Sequence, residues 1–158
     1  MPQNYIAIML QSLKKKEEVL DKILILSKEQ EELLANPNLE ADDFERNVIK
    51  KARLIDELES LDGGFDSLYQ NVSEELKAEK EKYASEIAEM QRRIKNITEK
   101  SVDIQVKERH NKELVEQKFA SVRNQIKQVR SSQKIVNQYY KNMRKLNCVE
   151  PQFMDNKK

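Results

Sequence analysis

Glycine and proline are almost missing from this chain, which has 2 Gly and 3 Pro in 158 residues. Sheets and loop-built sites need such punctuation, so its scarcity excludes most β and α/β architectures and points to helix. Tryptophan is absent and cysteine occurs once, at Cys148. A lone thiol cannot close an internal disulfide or build a Cys-rich zinc site, and it suits a reducing compartment, so a cytoplasmic protein is expected. The longest apolar stretch near the start covers only residues 5–10 and no basic segment precedes it. That is far short of the ~20 residues of a spanning helix, and neither membrane insertion nor a secretion signal is expected. An excess of one charge is missing too: 29 Lys and Arg stand against 28 Asp and Glu. Near-neutrality removes the simplest argument for a nucleic-acid or membrane-surface protein.

What is present is helical periodicity in a charge-rich chain of mean hydropathy −0.84. That combination describes elongated helices with narrow apolar seams. A helix over about 4–35 carries Ile6, Leu13, Leu20 and Leu34 on one heptad position, with Met9, Leu10, Ile23 and Leu24 beside them. Its stripe is widened by Val19, Leu26 and Leu33, which suits contact with more than one partner helix. Asn36-Pro37-Asn38 ends it, because proline disfavours helical geometry at the residue before it. A second helix over 39–62 is expected to be capped by Asn38, with Glu40, Asp42 and Asp43 at the positive end of its dipole and Phe44, Val48, Ile55 and Leu58 as its seam. Gly63-Gly64 is read as a turn, with a mere kink as the alternative.

From 65 to 150 there are 86 residues without Gly or Pro. An unbroken helix of that length would run about 130 Å, far beyond the first helix. The seam through Tyr83, Ile87, Met90, Ile94, Ile97, Ser101, Ile104, Glu108, Asn111 and Val115 slips by one residue and resumes at Phe119, Val122, Ile126, Val129, Gln133, Val136, Tyr140 and Met143. Because it is most polar at Ser101, Glu108 and Asn111, a reversal within 98–113 is expected, giving helices over 65–100 and 104–146; one continuous helix is the alternative. The fold class is therefore all-α, an elongated antiparallel bundle or coiled coil of three or four helices, as a single domain over 1–146. Residues 147–158 lose periodicity, contain Pro151 and read as a flexible tail.

Catalytic chemistry finds little support. The glycine pair lies between helices with no preceding strand, which argues against a phosphate-cradling loop. His110, with Glu108 and Glu113 nearby, is better read as a solvated residue of a charged helix than as a metal ligand, and Cys148 has no histidine within helical reach. No catalytic residue, metal site or cofactor is assigned, and the protein is not expected to be an enzyme.

Charge distribution is more telling than its sum. Residues 29–62 hold 11 acidic and 4 basic side chains, whereas 117–149 hold 8 basic and no acidic ones. With Phe119, Ile126 and Tyr140 at heptad a, Arg123, Arg130 and Arg144 fall at e and Lys127, Lys134 and Lys141 at b, so the last helix has a basic ridge beside its seam. The ridge could pair with the acidic flank of the second helix (Asp42, Glu45, Asp56, Glu59), follow a nucleic-acid backbone, or flank an amphipathic surface for a partner helix. The neighbouring acidic segment and the lack of interleaved aromatics disfavour nucleic acid.

The run Asp43-Phe44-Glu45, Lys51, Ile55-Asp56-Glu57-Leu58, Glu108-Arg109-His110-Asn111-Lys112-Glu113-Leu114, Tyr139-Tyr140-Lys141-Asn142-Met143 and the Phe153-Met154-Asp155-Asn156-Lys157-Lys158 tail resembles the FlgN-type flagellar export chaperones, in a clostridial-like form. The resemblance implies a cytoplasmic chaperone that binds hook-filament junction (hook-associated) proteins and delivers them to the flagellar type III export apparatus. A generic coiled-coil scaffold or oligomerisation module is the alternative, and monomer and homodimer are both left open. By position, the family's client surface maps onto Phe119, Val122, Ile126, Val129, Val136, Tyr140 and Met143, with Arg123 and Arg130 steering an acidic partner. Tyr139 or Tyr140 matches the family's tyrosine for docking at the export gate.

Overall fold

The computed structural model describes residues 5–122 and 129–148, with side-chain environments for 5–118 and 134–146. All regular structure among the described residues is helical: α1 (Tyr5–Ala35), α2 (Ala41–Gly63), α3 (Phe65–Ala78), α4 (Ala84–Val122) and α5 (Val129–Cys148). The all-α bundle read from periodicity is the observed fold.

The first boundary follows its chemistry closely. Leu39 N donates to Asn36 O at 3.2 Å, which places Pro37 at the second position of a turn, where its fixed φ is favoured. Asn38 N donates to Asn36 Oδ1 at 2.9 Å, so Asn38 is used within the turn. The cap of α2 is therefore Glu40, in extended conformation and without a side-chain cap bond, and not Asn38 as expected. Asp42 and Asp43 do occupy the first turn.

The glycine pair kinks the chain and does not reverse it. Gly64 has φ −97° and ψ −1°, and no glycine has positive φ, so the left-handed stop does not form. Leu68 N donates to Gly64 O at 3.2 Å and helical bonding resumes at once. Accordingly α3 continues the path of α2 along the first half of α1, where Phe65 and Val72 join Ile6, Met9 and Leu13 in one apolar cluster.

The reversal expected within 98–113 is absent, because α4 runs unbroken through that segment. The chain turns back at 79–83 instead, through a run of four charged residues followed by Tyr83. No large apolar side chain lies between Leu76 and Tyr83. With nothing there to bury, helix in this stretch gains no tertiary support, and the chain can leave it. Tyr83 Oη donates to Glu75 Oε1 at 3.1 Å across the turn, and Ile87 N donates to Tyr83 O at 2.8 Å as α4 begins.

Side-chain pairings give the directions. Lys16 with Asp62 at 2.5 Å and Gln30 with Asn47 at 3.0 Å set α2 antiparallel to α1. Glu17 with Arg93 at 3.0 Å, Glu31 with Lys107 at 2.6 Å and Leu34 O with Lys118 at 3.2 Å set α4 parallel to α1. Asn142 with Val48 O at 3.0 Å and Lys145 with Asp56 at 3.2 Å set α5 parallel to α2. Helices adjacent across the turns at 36–40 and 79–83 thus alternate in direction. Lys118 also reaches Asn36 O, so a cation from α4 satisfies the carbonyl end of α1.

Candidate partner-binding site

Two apolar layers fill the bundle. One holds Leu34, Phe44, Val48, Val115, Ile135 and Tyr139; the other runs from Ile6 and Met90 to Ile23, Ile55, Ile104 and Leu146. Between them lies a buried polar layer formed by Ser27 and Gln30 of α1, Asn47 and Lys51 of α2, and Glu108 and Asn111 of α4. Lys51 Nζ pairs with Glu108 Oε1, and their side chains are 1% and 2% exposed. Ser27 Oγ donates to the same carboxylate oxygen at 2.9 Å. Asn111 Nδ2 donates to Ser27 O at 2.9 Å and to Gln30 Oε1 at 3.1 Å, and Asn47 Nδ2 donates to Leu26 O at 2.9 Å. Burial lowers the ionisation range of Lys51, with the Glu108 carboxylate opposing it.

This layer explains why a polar seam did not mean a turn. Ser101 bonds back to Ile97 O at 2.8 Å, while Glu108 and Asn111 find partners on the facing helices. It also gives the bundle a register, since sliding α4 along α1 by one turn would strand a buried carboxylate. The sequence reading missed the layer. Its signal was that Ser27 and Gln30 continue the apolar stripe from Leu20 and Ile23 at spacings of seven, on α1 itself.

On α5 the buried row is Ile135, Tyr139, Asn142 and Leu146. Of the anticipated client-facing residues, Val136, Tyr140 and Met143 lie one step around the helix and are half-buried, whereas Tyr139 is 1% exposed. Tyr139 packs against Phe44, with ring centroids 6.2 Å apart, and meets Tyr140 edge-on at 5.4 Å. Its hydroxyl has no partner among the described residues, and burial followed by the Glu108 charge pushes its ionisation well above the usual phenol range. The side chains of Phe119, Val122, Arg123, Ile126, Val129 and Arg130 lie outside the described residues.

Charge complementarity between the acidic second helix and the basic last one is realised through a residue outside the anticipated ridge. Lys145 reaches Asp56 at 3.2 Å and Glu59 at 3.4 Å, and its ionisation is raised by the hydrogen bond to Asp56. The ridge residues Lys134, Lys141 and Arg144 are exposed and make no ion pair among the described residues. Asn142, bonded to Val48 O, and Lys145 mark the flank of α5 turned to α2. Val136, Tyr140, Met143 and then Arg144 follow on the other flank by helical spacing.

His110 is exposed, and Glu108 is held by Lys51 and Ser27, so the two do not form a common site. No helix among the described residues is long and apolar enough to cross a membrane.

A bundle that places half-buried apolar side chains and exposed cations, without ion pairs among the described residues, on its last helix has the features of a helical protein-binding module, a chaperone or a scaffold. The comparison with known families decides which. The family model described as FlgN protein matches residues 1–146, and the chain belongs to that family, whose members are flagellar export chaperones. No curated protein and no solved structure matches the chain.

Proposed function

We propose that this FlgN-family chain binds hook-filament junction proteins in the cytoplasm and brings them to the flagellar type III export apparatus. The observation that carries the reading is the outer flank of α5, where half-buried Val136, Tyr140 and Met143 are followed around the helix by exposed Arg144 and then Lys141, neither of which makes an ion pair among the described residues. A terminal amphipathic helix of a client can complete the apolar row, and carboxylates on that helix can meet the cations, which speed encounter and fix orientation. Phe119, Val122, Arg123, Ile126, Val129 and Arg130, which the family resemblance assigns to client binding, are proposed to contribute as well. Of the two tyrosines, Tyr140 is the one offered to the export gate, because Tyr139 is enclosed against Phe44.

The test is calorimetric titration of the full chain with purified junction proteins. Binding is expected, and the Lys141→Glu/Arg144→Glu variant is expected to lose it by tenfold or more, about 1.4 kcal/mol, while keeping its helical circular dichroism. A scaffold would show self-association and no junction-protein binding, and that result would refute the proposal.

A further inference from the structure

Cations at the helix interfaces of this bundle are paired: Lys16 with Asp62, Lys51 with Glu108, Arg93 with Glu17, Lys100 with Asp21, Lys107 with Glu31, and Lys145 with Asp56. Along the outer junction of α1 and α2 the pattern fails. Lys22, Ile25 and Leu26 of α1 and Lys50, Arg53 and Leu54 of α2 line an open groove of about 370 Å³. None of its three cations makes an ion pair among the described residues. Ile25, at 64%, is the most exposed large apolar side chain described.

The groove faces away from the rest of the bundle. α4 meets α1 through Glu17, Asp21 and Glu31, and α5 meets α2 through Val48, Asp56 and Glu59. Neither helix covers the side on which Ile25 and Arg53 stand. The furrow between two antiparallel helices has the shape that accepts a third helix by ridge-into-groove packing. Its charge has an order: exposed Glu18 lies four residues before Lys22, Glu29 four after Ile25 and Glu57 four after Arg53. The field is thus positive at the centre and negative toward the ends.

We propose that this groove docks an acidic amphipathic helix of another protein, with apolar side chains on Ile25, Leu26 and Leu54 and carboxylates near the middle of the helix against Lys22, Lys50 and Arg53. A continuous polyanion or an anionic lipid surface matches it poorly, because Glu18, Glu29 and Glu57 would repel both. The inference is independent of the α5 surface and of the identity of the clients.

The probe is a synthetic fluorescein-labelled peptide of about five helical turns, with leucines at helical spacing and glutamates beside them at its centre, and a twin carrying lysines in their place. Fluorescence anisotropy with the full chain should show the acidic peptide binding about tenfold or more tightly than its twin. Lys50→Glu/Arg53→Glu should invert that preference, and Ile25→Asp should abolish binding of both peptides. All three substituted side chains are exposed, so unchanged circular dichroism is the folding control. Because the proposed α5 surface would also take an acidic amphipathic helix, all these titrations are run in the Lys141→Glu/Arg144→Glu background, where the peptide binding that remains should be that of the groove. The proposal is overturned by failure of the acidic peptide to bind, by a preference that survives Lys50→Glu/Arg53→Glu, or by binding only to phosphatidylglycerol vesicles or RNA. Self-association that both groove variants abolish would overturn it in favour of a second copy of the chain.

Discussion

Glu108 sits at the centre of the buried polar layer. Its carboxylate is buried among α1, α2 and α4, where Lys51 and Ser27 share one oxygen and the other has no partner among the described residues. A buried charge whose counter-ion is removed costs far more than the pair contributes when intact. Lys51→Met is therefore expected to lower unfolding free energy by about 3–5 kcal/mol in urea titrations, whereas Lys51→Met/Glu108→Leu should recover most of that loss. Tyr139 offers the opposite case, a buried hydroxyl with no partner among the described residues, and Tyr139→Phe should raise stability by about 1 kcal/mol. Its pH dependence follows from the raised ionisation of the phenol. The folded state keeps the proton that an unfolded tyrosine, with its model value of 10.0, gives up. Stability from this group is fully present below that value and falls as pH rises past it. Lys51 has the contrary slope, since burial depresses its ionisation and its penalty is relieved as pH climbs toward the model value of 10.5. Comparing Tyr139→Phe with the parent chain leaves the Lys51 slope common to both, and the variant should lack the parent's alkaline loss.

At the scale of helices, Gly63 and Gly64 stand in right-handed backbone with nothing within 4 Å of a built Cβ. Gly64→Ala should stabilise the chain by about 0.4–1 kcal/mol in thermal melts, chiefly by restricting the unfolded state, and a loss would show that the kink needs glycine. The first boundary, the core faces of α1 and α2, and the seam of α4 from Met90 through Val115 were legible because each rests on local chemistry or a 3.6-residue period. The turn at 79–83 was not, since Glu79, Lys80, Glu81 and Lys82 are good helix formers and the reversal comes from what they fail to bury. The polar interruption at Ser101, Glu108 and Asn111 misled for a related reason. A polar seam residue marks a break only when nothing answers it; Ser27, Gln30 and Lys51 answer Glu108 and Asn111 from 57 to 84 residues away in sequence, and Ser101 is satisfied by Ile97 O of its own helix. On α5 the buried row, Ile135, Tyr139, Asn142 and Leu146, falls one residue from the projected row of Val136, Tyr140 and Met143. Half of the candidate surface was thus legible as a helix with a basic flank. Which residues turn inward was decided by Phe44 and Val48 on α2.

Across the whole molecule, the net charge of +1 conceals an internal division of labour. Acidic side chains of α1 pair with Arg93, Lys100 and Lys107 of α4, and those of α2 with Lys145 of α5, which favours these helix pairings and their directions. Individually such partly exposed pairs contribute only about 0.2–1 kcal/mol, so their joint effect is on arrangement more than on stability. Among the described cations that make no ion pair are Lys134, Lys141 and Arg144 on α5, and Lys22, Lys50 and Arg53 on the outer face of α1 and α2. Each set lies beside apolar side chains that the fold leaves partly uncovered. Under the proposed function, this arrangement would suit clients with amphipathic, acidic helices. The most direct measurement is the calorimetric titration of the full chain with a hook-filament junction protein, run side by side with Lys141→Glu/Arg144→Glu. Saturable binding that the variant loses by tenfold or more, about 1.4 kcal/mol, with helicity unchanged is the predicted result. Equal binding by parent and variant, or no binding by either, would contradict the account.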